Sequence, residues 1–530
     1  MEKRVLVAAV LSGLVIIVWF SLFSPKPPAP APGPAPTAAA AGAPTPGAPA
    51  ASATPVAERA TVPAVPAVSG QDSTEVPLEG DGWRALVNPK GGVLSSVVLS
   101  GYKDEAGAPL ELVRSGADKP LSVGAPGPWN DELYQVERGT GWVSLRWSDG
   151  KGNWVEKRVS AGKGMYAVDV EVRAGGEPAR AGTVVAAGLQ KGLKAEQQGR
   201  FGGSDAVLRI GGKLDRINTA KLEGPKSVAG TVEFAGIEDQ YFLFVLLPSG
   251  GVDEARVSRV GTAPNTLPQV VVAGAGGAIR GTLYAGAKEH RTLVGYGRGL
   301  EETLSFGIFG FLSVGFLAAL RWIQSWVVNW GVAIIVLTAG IRILLFPLNH
   351  KSAVAMKRMQ QLQPKMKAIQ GRYQERAKKD PSVRQRMNQE VMALYKQEGV
   401  NPMGGCLPML VQLPILWALY SLFAYAIELR QAPFVFWIKD LAAKDPTYIT
   451  PILMTATMVL QQRMAPQMGD PAQRRMFMLM PFIFGFMFIN FPAGLVLYWL
   501  VNNLFTIGQQ LLTERMMAKT TTTTGTPAGT

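Results

Sequence analysis

Cysteine is nearly absent from this chain of 530 residues: Cys406 stands alone, so no intrachain disulfide can form. Its plain reading is a small packing residue. Histidine is almost as scarce. His290 and His350 lie far apart in sequence and, with one cysteine besides, make no metal or nucleophile constellation, so no cofactor is expected. No GxxxxGK[ST] run occurs, which removes a common phosphate cradle. Charged residues make up 17%, low for a soluble protein. Met476 to Thr513 is a stretch of 38 positions without a single charge.

What is present is apolar sequence in long runs. Asn329 to Asn349, NWGVAIIVLTAGIRILLFPLN, can cross a bilayer, yet it contains Arg342. At about 1.5 Å per residue Arg342 lies about 10 Å from the Asn349 end. An unpaired guanidinium at that depth in lipid costs at least ~2.5 kcal/mol, so the residue should face protein or water. Snorkelling to the nearer headgroups is the plain alternative. Thr338 stands one turn earlier on the same face, which favours a polar stripe lining a wet cavity.

Taken in order, residues 1–23 read as a transmembrane anchor. Lys3 and Arg4 hold the N-terminus in the cytoplasm, and Val5 to Phe23 is longer than a signal-peptide core and ends in interfacial aromatics. The Ala-rich stretch downstream leaves cleavage open. Residues 24–70 are Pro/Ala-rich, cannot bury a core and read as a tether. From 71 to 300 short alternating runs such as WRALVNP (83–89), NWVEKRVS (153–160) and QYFLFVLL (240–247), divided by Gly, Pro, Asp and Asn, predict a β-sandwich of more than ten strands. Some large sandwiches process sugars, but His290 beside Glu289 is the only histidine in this one. A docking or scaffolding role, with His290 as a surface residue, is the expectation.

Residues 301–326 hold a short apolar run and a Trp-rich end; if they crossed the bilayer, the basic stretch after Asn349 would lie outside, so they are placed flat in the outer interface as an amphipathic helix. The core, 327–514, then holds spans at about 328–349, 406–427, 448–462, 476–490 and 493–512, the last two separated by Asn490-Phe491-Pro492-Ala493-Gly494. Between the first and second of these lies 350–399, with twelve Lys and Arg against four acids, which is +8 of the chain's +14. Its two runs of apolar residues every three or four positions, broken at Asp380-Pro381-Ser382, predict a cytoplasmic helical hairpin. Charge alone fits either a topology signal or a surface for anionic headgroups or ribosomal RNA. Six spans with both termini cytoplasmic satisfy every loop, and 515–530 is a cytoplasmic tail. The spans at 448–462 and 476–490 are short, roughly 22 Å against ~30 Å of hydrocarbon, and would thin the bilayer. Seventeen of 19 methionines lie between Met356 and Met517, which suits adaptable apolar binding.

IRILLFPLNHKS, LQPKMKAIQ, MALYKQEGVNPMGGCLPMLVQLPI, ELRQAPFVFWIKDL and FPAGLVLYWLVNNLFTIGQQ together resemble the YidC/Oxa1/Alb3 membrane protein insertases over about Trp330 to Glu514. The anchor and large β-rich domain are similar to the Gram-negative bacterial type. The resemblance implies a polytopic α-helical inner-membrane protein, a five-helix core around a hydrophilic groove and a periplasmic β-supersandwich. It implies no enzymatic chemistry. Its expected partners are nascent membrane proteins, the Sec translocon, the translating ribosome through the basic hairpin, and lipid, with no specific nucleic acid sequence. It places Arg342, Thr338, Gln412, Tyr498 and Trp499 in the substrate-binding groove, with client spans sliding along 406–427 and 476–490. Trp499 lacks the hydroxyl of the tyrosine expected there. Two other functions fit the residues less well. A small-solute transporter with Arg342 as anion site would need inverted repeats, and a periplasmic scaffold or sugar-processing domain would need a catalytic group opposite His290.

Overall fold

The computed structural model describes residues 65–114, 118–190, 204–261, 266–377, 380–400, 407–464 and 471–523. The expected N-terminal anchor, most of the tether and Cys406 lie outside the described residues. Seventeen strands and ten α-helices are formed among the described residues.

The strands make three antiparallel sheets. Val76–Gly80, Trp83–Asn88, Val93–Lys103 and Pro109–Glu111 form a meander in chain order. The nine-stranded sheet runs Lys213–Ile217, Asp205–Ile210, Val232–Glu238, Phe242–Gly250, Ala278–Ala287, Ala167–Gly175, Trp154–Ala161, Trp142–Ser148 and Gln135–Gly139. The third sheet runs Lys226–Ala229, Val252–Val260, Leu267–Gly274 and Thr183–Ala187. Alternation does what the sequence predicts: in Trp154–Ala161 the buried positions are Val155, Lys157 and Val159. One of those three is a lysine. Lys157 is 1% exposed, and its ammonium donates to the carbonyls of Gly91 (2.7 Å) and Leu121 (2.6 Å) and lies over the Tyr134 ring. Burial lowers its pKa to about 7. The lysine ties two loops to the core, which the polar letter in the pattern does not reveal.

The short α1 is Glu177–Ala181, and α2, His290–Tyr296, follows the last strand. His290 is half-buried rather than on the surface, with Arg321, Glu428 and Glu301 among the charges around it. Burial holds its pKa below the ordinary value. Its neighbour Glu289 accepts hydrogen bonds from Tyr102 (2.6 Å), Tyr166 (3.4 Å) and Thr292 (3.0 Å).

The helices that follow are α3 (Gly310–Val327), α4 (Trp330–Gln361), α5 (Gln363–Ala377), α6 (Pro381–Gln397), α7 (Leu407–Tyr425), α8 (Ile449–Met464), α9 (Pro471–Phe488) and α10 (Ala493–Thr523). Two of them, α4 and α7, are long and apolar enough to cross a membrane. Helix α8 is short, α9 starts with Arg474 and Arg475 inside it, and Asn502, Asn503, Gln509 and Gln510 dilute α10. Helix α4 does not stop at Asn349. It continues through Pro347 to Gln361, since Ala353, Ala355, Met356, Lys357 and Arg358 are good helix formers wherever the lipid ends. The first arm of the basic hairpin is therefore the end of α4 plus α5, set against α6. Met359, Leu362, Tyr395 and Val400 bury its small core. In the same way α10 runs past residue 512 to Thr523.

The sheets and helices are locked together. Gln240 Nε2 donates to the carbonyl of Ala424 near the end of α7 (2.5 Å). Arg430 donates to the carbonyl of Lys103 (3.2 Å) and covers the Phe242 ring. Lys288, buried, pairs with Glu238 (2.6 Å) and donates to the Asp239 carbonyl (2.7 Å). Arg216 takes the other oxygen of Glu238 and donates to the carbonyls of Glu302 and Thr303 on the way to α3 (3.0 Å each).

Candidate functional site

The helices pack as an open arc rather than a closed bundle. Helix α7 rests on α3, α3 on α4, α4 on α10, α10 on α8, and α8 on α9. Helix α7 also touches α4 and α10, and among the described residues it does not pack along α9. Apolar side chains are exposed on both: Leu407, Met409 and Leu410 on α7, and Phe477, Met478, Leu479, Phe482, Ile483 and Phe486 on α9.

Inside the arc, two hydrogen bonds reach one face of α10. Arg342 Nε of α4 donates to Asn502 Oδ1 at 2.7 Å. Gln412 Nε2 of α7 donates to Tyr498 Oη at 2.6 Å. Tyr498 and Asn502 are four residues apart and so lie one turn apart on the same face. Among the described residues no carboxylate pairs with Arg342. The α4–α10 seam stays polar beyond it: Gln509 reaches the Phe346 carbonyl and Thr513 meets His350 Nδ1, both at 3.5 Å. Beside the seam a cleft of about 440 Å³ is lined by Arg342, Ile343, Phe346, Leu504, Phe505, Gly508, Gln509 and Leu512. Arg342 is the one charged side chain in that lining. A methyl group added at Gly508 would meet nothing within 4 Å, so the cleft is open there.

The five residues singled out in the sequence are therefore not equivalent. Arg342, Gln412 and Tyr498 converge on one face. Thr338 is buried at 1% exposure, and its hydroxyl donates to the Ile334 carbonyl of its own helix (2.7 Å). Trp499 turns away from Tyr498 and packs on α9, its ring centroid 6.3 Å from Phe484 and 5.1 Å from Phe488. Asn502 was missed. Its spacing of four from Tyr498 in an otherwise apolar run is the signal that could have found it. Asn503, next to it, joins α10 to α8 through Thr457 (3.1 Å).

Helices able to cross a bilayer, joined to a large β-sandwich and holding a half-buried cation beside an open cleft, define a membrane protein whose polar work is done inside an apolar frame. Residues 322–520 match the 60Kd inner membrane protein family, and residues 75–318 match the YidC periplasmic domain. A membrane protein insertase YidC of Geobacter metallireducens is 37% identical, over 98% of this chain and 99% of that protein. One of Syntrophus aciditrophicus is 34% identical, over 96% and 99%. A crystal structure of an active YidC insertase with its first transmembrane domain resolved is 18% identical, covers 84% of this chain and 94% of that one, and has a TM-score of 0.36. The chain belongs to the YidC family of membrane protein insertases, inner-membrane proteins with a periplasmic β-sandwich domain and no enzymatic chemistry.

Proposed function

We propose that the face formed by Arg342, Asn502, Gln412 and Tyr498 receives the polar segment of a client while the client's apolar span leaves between α7 and α9. The observation that carries this reading is the Arg342–Asn502 hydrogen bond. An amide orients the guanidinium without neutralising it, so its charge remains available to an acidic tail. The groove replaces part of the hydration such a segment loses, and partitioning of the client's apolar span into lipid drives the transfer. The exposed apolar faces of α7 and α9 suit that path. Helix α8, with 16 residues, spans about 24 Å against ~30 Å of hydrocarbon, which favours a thinned bilayer beside the path.

The topology that goes with it has six spans. They are an anchor at 1–23, α4, α7, α8, α9 and the first two-thirds of α10. A tether runs from 24 and ends before 65–70, whose Val68 and Gly70 pair with Ser148 and Leu133 of the β-domain. Residues 71–300 lie in the periplasm and 301–326 on the outer interface, with both termini in the cytoplasm. Thr338 contributes to the groove by packing, and Trp499 holds α9 to α10. The basic hairpin, α5 and α6 with the end of α4, faces the translating ribosome and anionic lipid. The Sec translocon is a further partner.

The test is insertion of a single-span client with an acidic tail into protein-containing liposomes without ATP, scored by protease protection. Insertion above protein-free liposomes is expected. Arg342→Ala should lower it about tenfold, the value of one charge-assisted contact, and Arg342→Lys should fall between. Equal insertion by all three proteins would remove Arg342 from the mechanism.

A further inference from the structure

Three of the four most exposed aromatic side chains outside α9 among the described residues, Phe436, Trp326 and Trp322, gather where two segments about a hundred residues apart meet; the fourth, Phe311, stands at the other end of α3. The first is the end of α3. Trp322 and Trp326 are exposed, with ring centroids 6.2 Å apart, and Trp326 is 74% exposed. Val328 follows at 79% exposure with φ of 58°, a conformation a β-branched residue rarely takes. The second is the loop 433–438. Asn329, which caps α4 by accepting from the Val332 amide (3.1 Å), donates its side-chain amide to the Phe434 carbonyl (3.0 Å). The Phe434 ring lies so close over Gly331 that a Cβ there would come within 2.0 Å of it. The loop tip thus sits at the first turn of α4.

The loop is built rather than slack. The Phe434 amide donates to the Ile438 carbonyl (3.0 Å), and Ile438 and Leu441 are buried beneath it. Trp437 donates to Asp445 (3.3 Å). Yet Phe436 is 79% exposed, with φ of 52° and its ring stacked on Trp437 at 5.8 Å. A rigid loop that holds an aromatic residue outward in a strained conformation has something to place it against. Residues 432–438 carry no charge.

We infer that residues 433–437 are a second foot on the outer membrane interface, paired with the tryptophans of α3, and that its partner is a lipid surface. This rests on the topology proposed above. Lipid is the occupant because the loop adjoins the first turn of an apolar helix long enough to span, and continues an aromatic rim of the kind that sits at headgroup depth. The foot pins the start of α4, the helix that carries Arg342, against vertical movement while a client passes.

The single native cysteine makes the test clean. In a Cys406→Ser protein, spin labels are placed at Phe436→Cys, Trp326→Cys, Val336→Cys in α4 and Ala106→Cys on the β-domain, in vesicles of phosphatidylethanolamine and phosphatidylglycerol. Collision with oxygen and with a water-soluble nickel chelate is then measured. The label at 436 is expected to favour oxygen as the one at 326 does, and the label at 106 to favour nickel. A label at 436 that matches 106 while 326 and 336 favour oxygen overturns the inference and leaves the topology standing. Nickel access at 336 overturns both. Protection at 436 in native membranes together with nickel access in pure lipid also overturns it, because the foot would then meet a protein.

Discussion

The β-domain and the helical core treat a cation drawn back from water in opposite ways: the two lysines of the β-domain are buried, and the arginine of the core is half-buried. In the β-domain, Lys157 donates to two carbonyls, and Lys288 shares Glu238 with Arg216. Those cations have polar partners matched to them and act as ties between loops and sheets. In the core, Arg342 has one amide for its Nε and an open cleft beside it. The desolvation cost is of the same kind in both regions. What differs is whether the surrounding chain offsets it completely, which gives a fastener, or leaves a charge to be met by something that comes and goes.

That contrast can be broken at its strongest point first. Lys288→Met removes one partner of a buried pair and leaves Glu238 with Arg216 alone. A loss of about 3 kcal/mol or more is expected, read from urea unfolding of the detergent-solubilised protein followed by hydrogen exchange at 300–304. A loss below about 1 kcal/mol would mean the pair is no fastener. Next, Asn502→Asp would give Arg342 the carboxylate it lacks. Insertion of an acidic-tailed client should drop about as far as in Arg342→Ala, roughly tenfold, while thermal stability holds or rises. Unchanged insertion would show that the guanidinium's charge is not what the client meets.

A further effect is read by pH at Lys157 alone. Lys157 has a folded pKa of about 7, below its unfolded value of 10.5. Between those values the unfolded chain binds the proton that the folded chain does not, so stability should rise with pH across that window and be flat below it. Protection from hydrogen exchange at the Gly91 and Leu121 loops reports this, and Lys157→Met should flatten the slope. The smallest expected difference lies within the aromatic pair of α10. Tyr498→Phe strands the Gln412 amide and should cost about 1 kcal/mol and lower insertion a few-fold. Trp499→Phe keeps a ring against Phe484 and Phe488 and should leave insertion within twofold.

Much of the molecule is legible in sequence because burial has a period. Strands at Trp83–Asn88, Trp154–Ala161 and Phe242–Gly250 lie where alternation or apolar runs put them. The turn before Ala493 falls at Asn490 to Pro492, where proline has no amide hydrogen to continue the preceding helix. Helix ends are less legible. Hydropathy marks where lipid would stop, not where hydrogen bonding stops, so α4 and α10 both outrun their apolar segments. The site was half legible: a charge in an apolar run exposes Arg342, whereas the burial of Thr338 and the turn of Trp499 toward α9 depend on neighbours from other helices.

By itself the sequence determined the β-rich domain, the apolar segments, the basic hairpin and the one arginine that does not belong in lipid, because each follows from the composition or periodicity of a continuous stretch. Tertiary structure alone decided that Asn502 is the arginine's partner, that α7 and α9 do not pack along each other, and that residues 433–437 meet the start of α4. The contacts among them join residues about 100 to 160 positions apart, and which side chains meet over such distances is set by how whole helices pack, a property no local pattern carries.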